Sequence, residues 1–139
     1  MRGRAVLRTG LGCVYAVAGV LHLAIPEQFL RITPDWVPFA PTVIALTGAA
    51  ELAGAAGLLQ PWSPALRRAA GMGLALYALC VWPANVNHMM MDLASRDGGL
   101  GLAYHGPRML LQPVLIWAAL WAAGVIGWPF AAKARNATR

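Results

Sequence analysis

The run Leu46-Thr47-Gly48-Ala49-Ala50-Glu51-Leu52-Ala53-Gly54-Ala55-Ala56-Gly57-Leu58-Leu59 decides how the rest of the chain is read. It is built of small and apolar residues around a single carboxylate. As a helix inside a lipid bilayer it would hold Glu51 near the midplane, where an ionised group costs several kcal/mol. A chain carries such a residue when partners neutralise it or when it has a task. The polar residues inside the other apolar segments are therefore its candidate partners.

Composition supports the bilayer. Of the 139 residues 59% are hydrophobic and 12% charged, where an ordinary soluble domain carries about 25% charged residues. A soluble bundle of this length needs polar outer faces, and too few polar residues are present to supply them. The net charge of +6 does not indicate nucleic acid, because the basic residues flank apolar runs instead of interleaving with aromatics on one face. Cys13 and Cys80 form no Cys-x-x-Cys pair and, lying inside apolar segments, are expected to be buried small hydrophobes.

Four apolar segments emerge, at about residues 5–25, 42–59, 69–91 and 107–127. The first is too long for a signal-peptide core and lacks a small-x-small cleavage site, so it reads as an uncleaved transmembrane helix. Its wheel puts Leu11, Tyr15, Ala18, Gly19 and His22 on one face, with Cys13 opposite. Prolines 26, 34, 38 and 41 break up the connection to the second segment. Pro26 with Phe29, Leu30 and Ile32 allows a short interfacial helix, and Trp36 and Phe39 suit the headgroup belt.

In the second segment Thr47, Gly48, Glu51, Gly54, Ala55 and Leu58 share a face of small residues that lets a neighbouring helix come close. In the third, Ala78, Val81, Asn85, His88 and Asp92 line one stripe, Asn87 lies off it, and Pro83 should kink the helix just before the polar cluster. Residues 101–106 read as a loose approach to the fourth segment. There Arg108 and Gln112, four apart, project from one side. The basic tail 133–139 reads as disordered.

The expected fold is therefore all-α: one domain over residues 1–139, a four-transmembrane-helix bundle with a short Pro-rich interfacial segment between helices 1 and 2. Basic residues set its orientation. The N-terminus, the Arg67-Arg68 turn and the C-terminal tail hold eight Lys/Arg and no acid. The positive-inside rule puts these in the cytoplasm and both remaining connections outside, as in a multi-pass inner membrane protein. At about 1.5 Å per helical residue Glu51 lies roughly 13 Å below the outer boundary, Asn85 about 9 Å, Gln112 about 6 Å and His22 about 5 Å. Each helix thus contributes a polar side chain to the outer half.

Two readings of that cluster stand side by side. In one, Arg108 or His22 neutralises Glu51 while Asn85 and Gln112 hydrogen-bond helices together. In the other, the outer half holds a pocket in which Glu51 and His22 relay protons for a ligand contacted by Tyr15, Asn85, His88, Arg108 and Gln112. No metal site is expected. His22, His88, His105, Glu51 and Asp92 are suitable ligand types, but they are singletons on separate elements with no His-x-x-x-His spacing.

The sequence resembles the DoxX-like family of small four-helix membrane proteins. The resemblance rests on Gly19-Val20-Leu21-His22, Pro34-Asp35-Trp36-Val37-Pro38, the run from Thr47 to Leu59, Pro83-Ala84-Asn85-Val86-Asn87 and Arg108-Met109-Leu110-Leu111-Gln112. It implies an inner-membrane protein, with some relatives in quinone-linked sulfur or thiol oxidoreductase complexes and distant ones acting as assembly chaperones. It carries His22, Glu51, Asn85, Asn87, Arg108 and Gln112 over as site positions. The missing Cys-x-x-Cys argues against a thiol-disulfide role. Two functions follow as expectations: a redox-associated subunit whose pocket holds a quinone or similar polar-headed lipid, and a non-enzymatic helper. The helper would stabilise a partner membrane protein, or a second copy of itself, through its small-residue faces.

Overall fold

Prolines and short polar caps punctuate the chain. In a computed structural model, which describes residues 2–97 and 99–129, helix α1 (Arg2–Ala24) gives way to the short α2 (Pro26–Leu30). Pro26 stands at the first position of α2, where its missing N–H has no acceptor to satisfy. Helix α3 (Ala40–Leu59) begins after Phe39, whose φ of 52° is unusual for a residue with a side chain. Gln60 then closes a tight turn: its amide donates to the Ser63 carbonyl at 2.7 Å and accepts from the Ser63 N–H at 2.8 Å.

Helix α4 (Pro64–Ala94) begins five residues before the expected segment, because Ser63 caps it by accepting the Leu66 N–H and Pro64 fits the first turn. It runs through Pro83 without a break. Helix α5 (Gly101–Ala123) takes in residues 101–106, expected as a loose approach, and ends at Gly124, whose φ of 80° closes the helix in the left-handed region. Pro107, read as a helix start, lies inside α5 instead; the tertiary contacts of the first turn, described below, outweigh its missing hydrogen bond.

The four long helices close a ring: α1 packs on α3 and α5, and α4 packs on α3 and α5. The core is Leu11, Tyr15, Leu58, Leu74, Ala119 and Ala122, with small residues predominating toward α5. Arg4 stacks on the Trp121 ring and donates to the Ile126 carbonyl at 3.2 Å, tying the start of α1 to the end of α5. The outer surface is apolar as well, with Val14, Val17, Leu46, Leu76 and Leu110 all exposed. Helices apolar all round suit a lipid surround. Three of them, α1, α3 and α4, are long and apolar enough to cross a membrane. Helix α5 is not among the three, since His105, Arg108, Gln112 and two prolines occupy its first half.

One further expectation is corrected here. Cys13 and Cys80 are exposed on the bundle surface, not buried, because each sits on the outward side of its helix. The small-residue faces are consumed inside the chain. A Cβ on Gly19 would lie 2.8 Å from the Gly48 carbonyl oxygen, and one on Gly54 would meet the Leu74 side chain at 2.4 Å. A partner docking on those faces would have to open the bundle. The tail at 133–139 lies outside the described residues.

Candidate functional site

The inward face of α1 and the small-residue face of α3 meet where Gly19 and Gly48 let the backbones touch, and this contact sets His22 against Glu51. His22 Nδ1 lies 2.8 Å from Glu51 Oε2 and 3.0 Å from the Ala18 carbonyl oxygen. Both neighbours are acceptors, so Nδ1 carries a proton and Nε2 is the nitrogen left for anything else. Glu51 is 3% exposed. Its partner is thus His22 and not Arg108, the other cation considered from the sequence. Tyr77 of α4 stands close to the same carboxylate. Tyr15 stands edge-on to Tyr77, at a 6.2 Å centroid separation, with its own buried hydroxyl unpaired among the described residues.

Above this pair lies a cavity of about 200 Å³ between the bundle and the Pro-rich connection. His22, Phe29, Thr47, Tyr77, Asn85 and Arg108 are among its lining, and Pro34, Trp36 and Pro83 stand at its edge. Phe29 stacks on the His22 ring at 3.7 Å, so α2 covers the histidine. Asn87, off the stripe as expected, donates to the Ile32 carbonyl at 3.0 Å and so fastens the connection to α4. Of the residues singled out from the sequence, His22, Asn85 and Arg108 line the cavity. Glu51 and Tyr15 stand behind it, Gln112 is buried within the bundle, and His88 belongs to a neighbouring polar group.

That second group was not visible as a unit in the sequence. His88, Asp92 and His105 converge, although they had been read as singletons. Asp92 Oδ2 accepts from His105 Nε2–H at 2.9 Å and from the Leu100 N–H at 3.0 Å, with His88 Nε2 at 3.7 Å. Arg108 Nη1 donates to His88 Nδ1 at 2.7 Å. The separations would suit a metal ion, but the outer hydrogen bonds do not. A metal-bound histidine donates its other N–H to an acceptor. Here His88 Nδ1 faces a guanidinium, which can only donate, and His105 Nδ1 is buried with no partner among the described residues. As arranged, the group is a hydrogen-bonded staple that closes the α4–α5 connection. Gly99 is part of it, since a Cβ there would lie 2.5 Å from Asp92 Cγ.

Helical periodicity carried one turn further along each stripe reaches Tyr77 and His105. Tyr77 precedes Val81 and Asn85 by one and two turns, and His105 precedes Arg108 and Gln112 in the same way. The staple predicts that Asp92→Asn, which weakens the charge-assisted bonds, speeds amide hydrogen exchange over residues 99–105 by roughly tenfold while leaving α1 and α3 unchanged.

The family described as a domain of unknown function (DUF8561) matches residues 11–123, from within α1 to the last residue of α5. The chain belongs to the DUF8561 family. No curated protein and no solved structure matches it. The DUF8561 match spans every residue of the His22–Glu51 site and of the Asp92 staple, so both lie within the family's domain.

Proposed function

We propose that this DUF8561 protein is a DoxX-like, redox-associated subunit of the cytoplasmic membrane. In it α5 crosses the bilayer with the other three long helices, both termini are cytoplasmic, and the cavity above Glu51 takes the ring head of a quinone or similar polar-headed lipid. The size of the cavity carries the reading. At about 200 Å³ it is smaller than the roughly 300–1,000 Å³ of a site that swallows a whole small molecule. It is slightly larger than the cavity of about 150 Å³ that admits benzene. Such a space holds one ring, and the rest of the ligand must lie elsewhere. An apolar groove of about 550 Å³ on the outer face of α4 shares Pro34, Trp36 and Pro83 with the cavity and offers the tail that place.

The chemistry of the lining agrees. Thr47, Asn85 and Arg108 offer hydrogen bonds to ring oxygens, and Arg108 favours the one with more negative charge. With Nδ1 held by Glu51, His22 presents Nε2, which donates a proton when the ring is charged and accepts one when it is neutral. Glu51 stabilises the charged imidazole, and Phe29 keeps water from it.

The test is the purified protein in mild detergent. Its extract and ultraviolet spectrum are expected to show a quinone-type lipid that is reduced at least tenfold in Asn85→Leu, a change in the cavity wall that leaves the His22–Glu51 pair intact. If no such lipid co-purifies, if added ubiquinone or menaquinone analogues do not shift the melting temperature, and if a specific partner protein is recovered instead, the reading is wrong.

A further inference from the structure

A second pocket, about 450 Å³ in volume, opens where α2 meets the outer ends of α4 and α5, and Gln28, Arg31, His88, Asp92, Tyr104 and Arg108 line it. All three ion pairs among the described residues join a histidine to a carboxylate, so neither Arg31 nor Arg108 has an acid partner there. Arg108 is only half accounted for. Its Nη1 goes to His88, a neutral acceptor, and its guanidinium lies over the Tyr104 ring at 5.7 Å. Arg31 makes no side-chain hydrogen bond among the described residues, and Gln28 adds an amide donor. The one acid in the lining, Asp92, already accepts two N–H bonds from the α4–α5 joint. The pocket thus presents two guanidinium charges and further donors against one carboxylate that is turned to another use.

From this geometry we infer that the pocket is a phosphate-binding site, and that its natural occupant is the phosphate of an anionic membrane lipid. Paired guanidinium groups match phosphate oxygens bidentately, and basic pockets between membrane helices take anionic headgroups. The lining fits the lipid source, since apolar Phe29, Ile32 and Met91 stand beside the donors. The inference rests on the membrane reading of α1, α3 and α4; the pocket shares Arg108 with the cavity above Glu51, and Arg31, which lines this pocket and not that cavity, tells the two apart.

The experiment compares melting of the full chain in neutral detergent with added phosphatidylglycerol, with phosphatidylcholine, and with inorganic phosphate at matched ionic strength. Phosphatidylglycerol is expected to raise the midpoint by roughly 3–6 °C, phosphatidylcholine to leave it within about 1 °C. The rise is expected to vanish in Arg31→Gln and to persist in Arg96→Gln, which removes an exposed arginine outside the pocket. If inorganic phosphate alone reproduces the rise and Arg31→Gln abolishes it, the site stands and its occupant is free phosphate. An equal rise in wild type and Arg31→Gln, or an equal loss in Arg31→Gln and Arg96→Gln, means general attraction to a basic protein and overturns the site.

Discussion

Replacing His22 with leucine is expected to destabilise the bundle by about 3–5 kcal/mol, because it strips a buried carboxylate of its cation and leaves the charge uncompensated. The pair is 2.8 Å apart, with side-chain exposures of 10% for His22 and 4% for Glu51, so water cannot stand in for the lost partner. Glu51→Leu removes the carboxylate and leaves His22 its Ala18 carbonyl at 3.0 Å. Its cost should be smaller, about 1–2 kcal/mol. The double variant is the sharp test. Two buried apolar side chains replace an ion pair of similar volume, and such replacements are often neutral, so the double variant should melt above His22→Leu alone. Arg108→Ala should show no such coupling with Glu51→Leu. Additive losses for His22 and Glu51 in a double-mutant cycle, read from detergent melts, would separate the two residues and remove the proposed proton relay with them.

The same pair shows how far the sequence could be read. Glu51 was conspicuous because nothing else in a run of Gly, Ala and Leu could carry charge, and helical periodicity alone turned it inward together with Gly48, Gly54, Ala55 and Leu58, all of them buried in the bundle. Tyr15, Gly19 and His22 followed from the same periodicity on α1. What periodicity does not contain is the register of one helix against another. Arg108 and His22 were equally good partners for Glu51 on the wheel. The choice was made by the Gly19–Gly48 contact, which sets α1 at the level of Glu51, and by His88, which holds Arg108 elsewhere. The start of α5 was misread for a related reason. Gly101, Gly106 and Pro107 carry the local marks of a loop, but the Asp92 carboxylate reaches forward eight residues to hold the Leu100 N–H and also catches His105 in the helix that follows. A tertiary hydrogen bond overrode local preference, as it commonly does where the outcome is decided by packing.

Gly19→Ala and Gly10→Ala add the same methyl group to the same helix and are expected to give opposite results. Nothing lies within 4 Å of a Cβ built at Gly10, so alanine there should be neutral or stabilising by up to about 1 kcal/mol through backbone entropy. A Cβ at Gly19 would lie 2.8 Å from the Gly48 carbonyl oxygen and 2.8 Å from Leu52 Cγ. The leucine can turn aside but a carbonyl in a hydrogen-bonded helix cannot, so α1 and α3 must separate. In lipid no hydrophobic force draws helices back together, and association rests on close packing and interhelical hydrogen bonds. The expected cost is about 2–3 kcal/mol for alanine and more for leucine, which should prevent the bundle from closing. Because His22 lies one turn beyond Gly19, the separation also lengthens its contact with Glu51. Gly19→Ala should therefore lose the lipid proposed for the cavity along with stability, while Gly10→Ala keeps both. Equal melting temperatures for the two alanine variants would mean that the helices do not touch at Gly19, and the floor of the cavity would then have to be drawn differently.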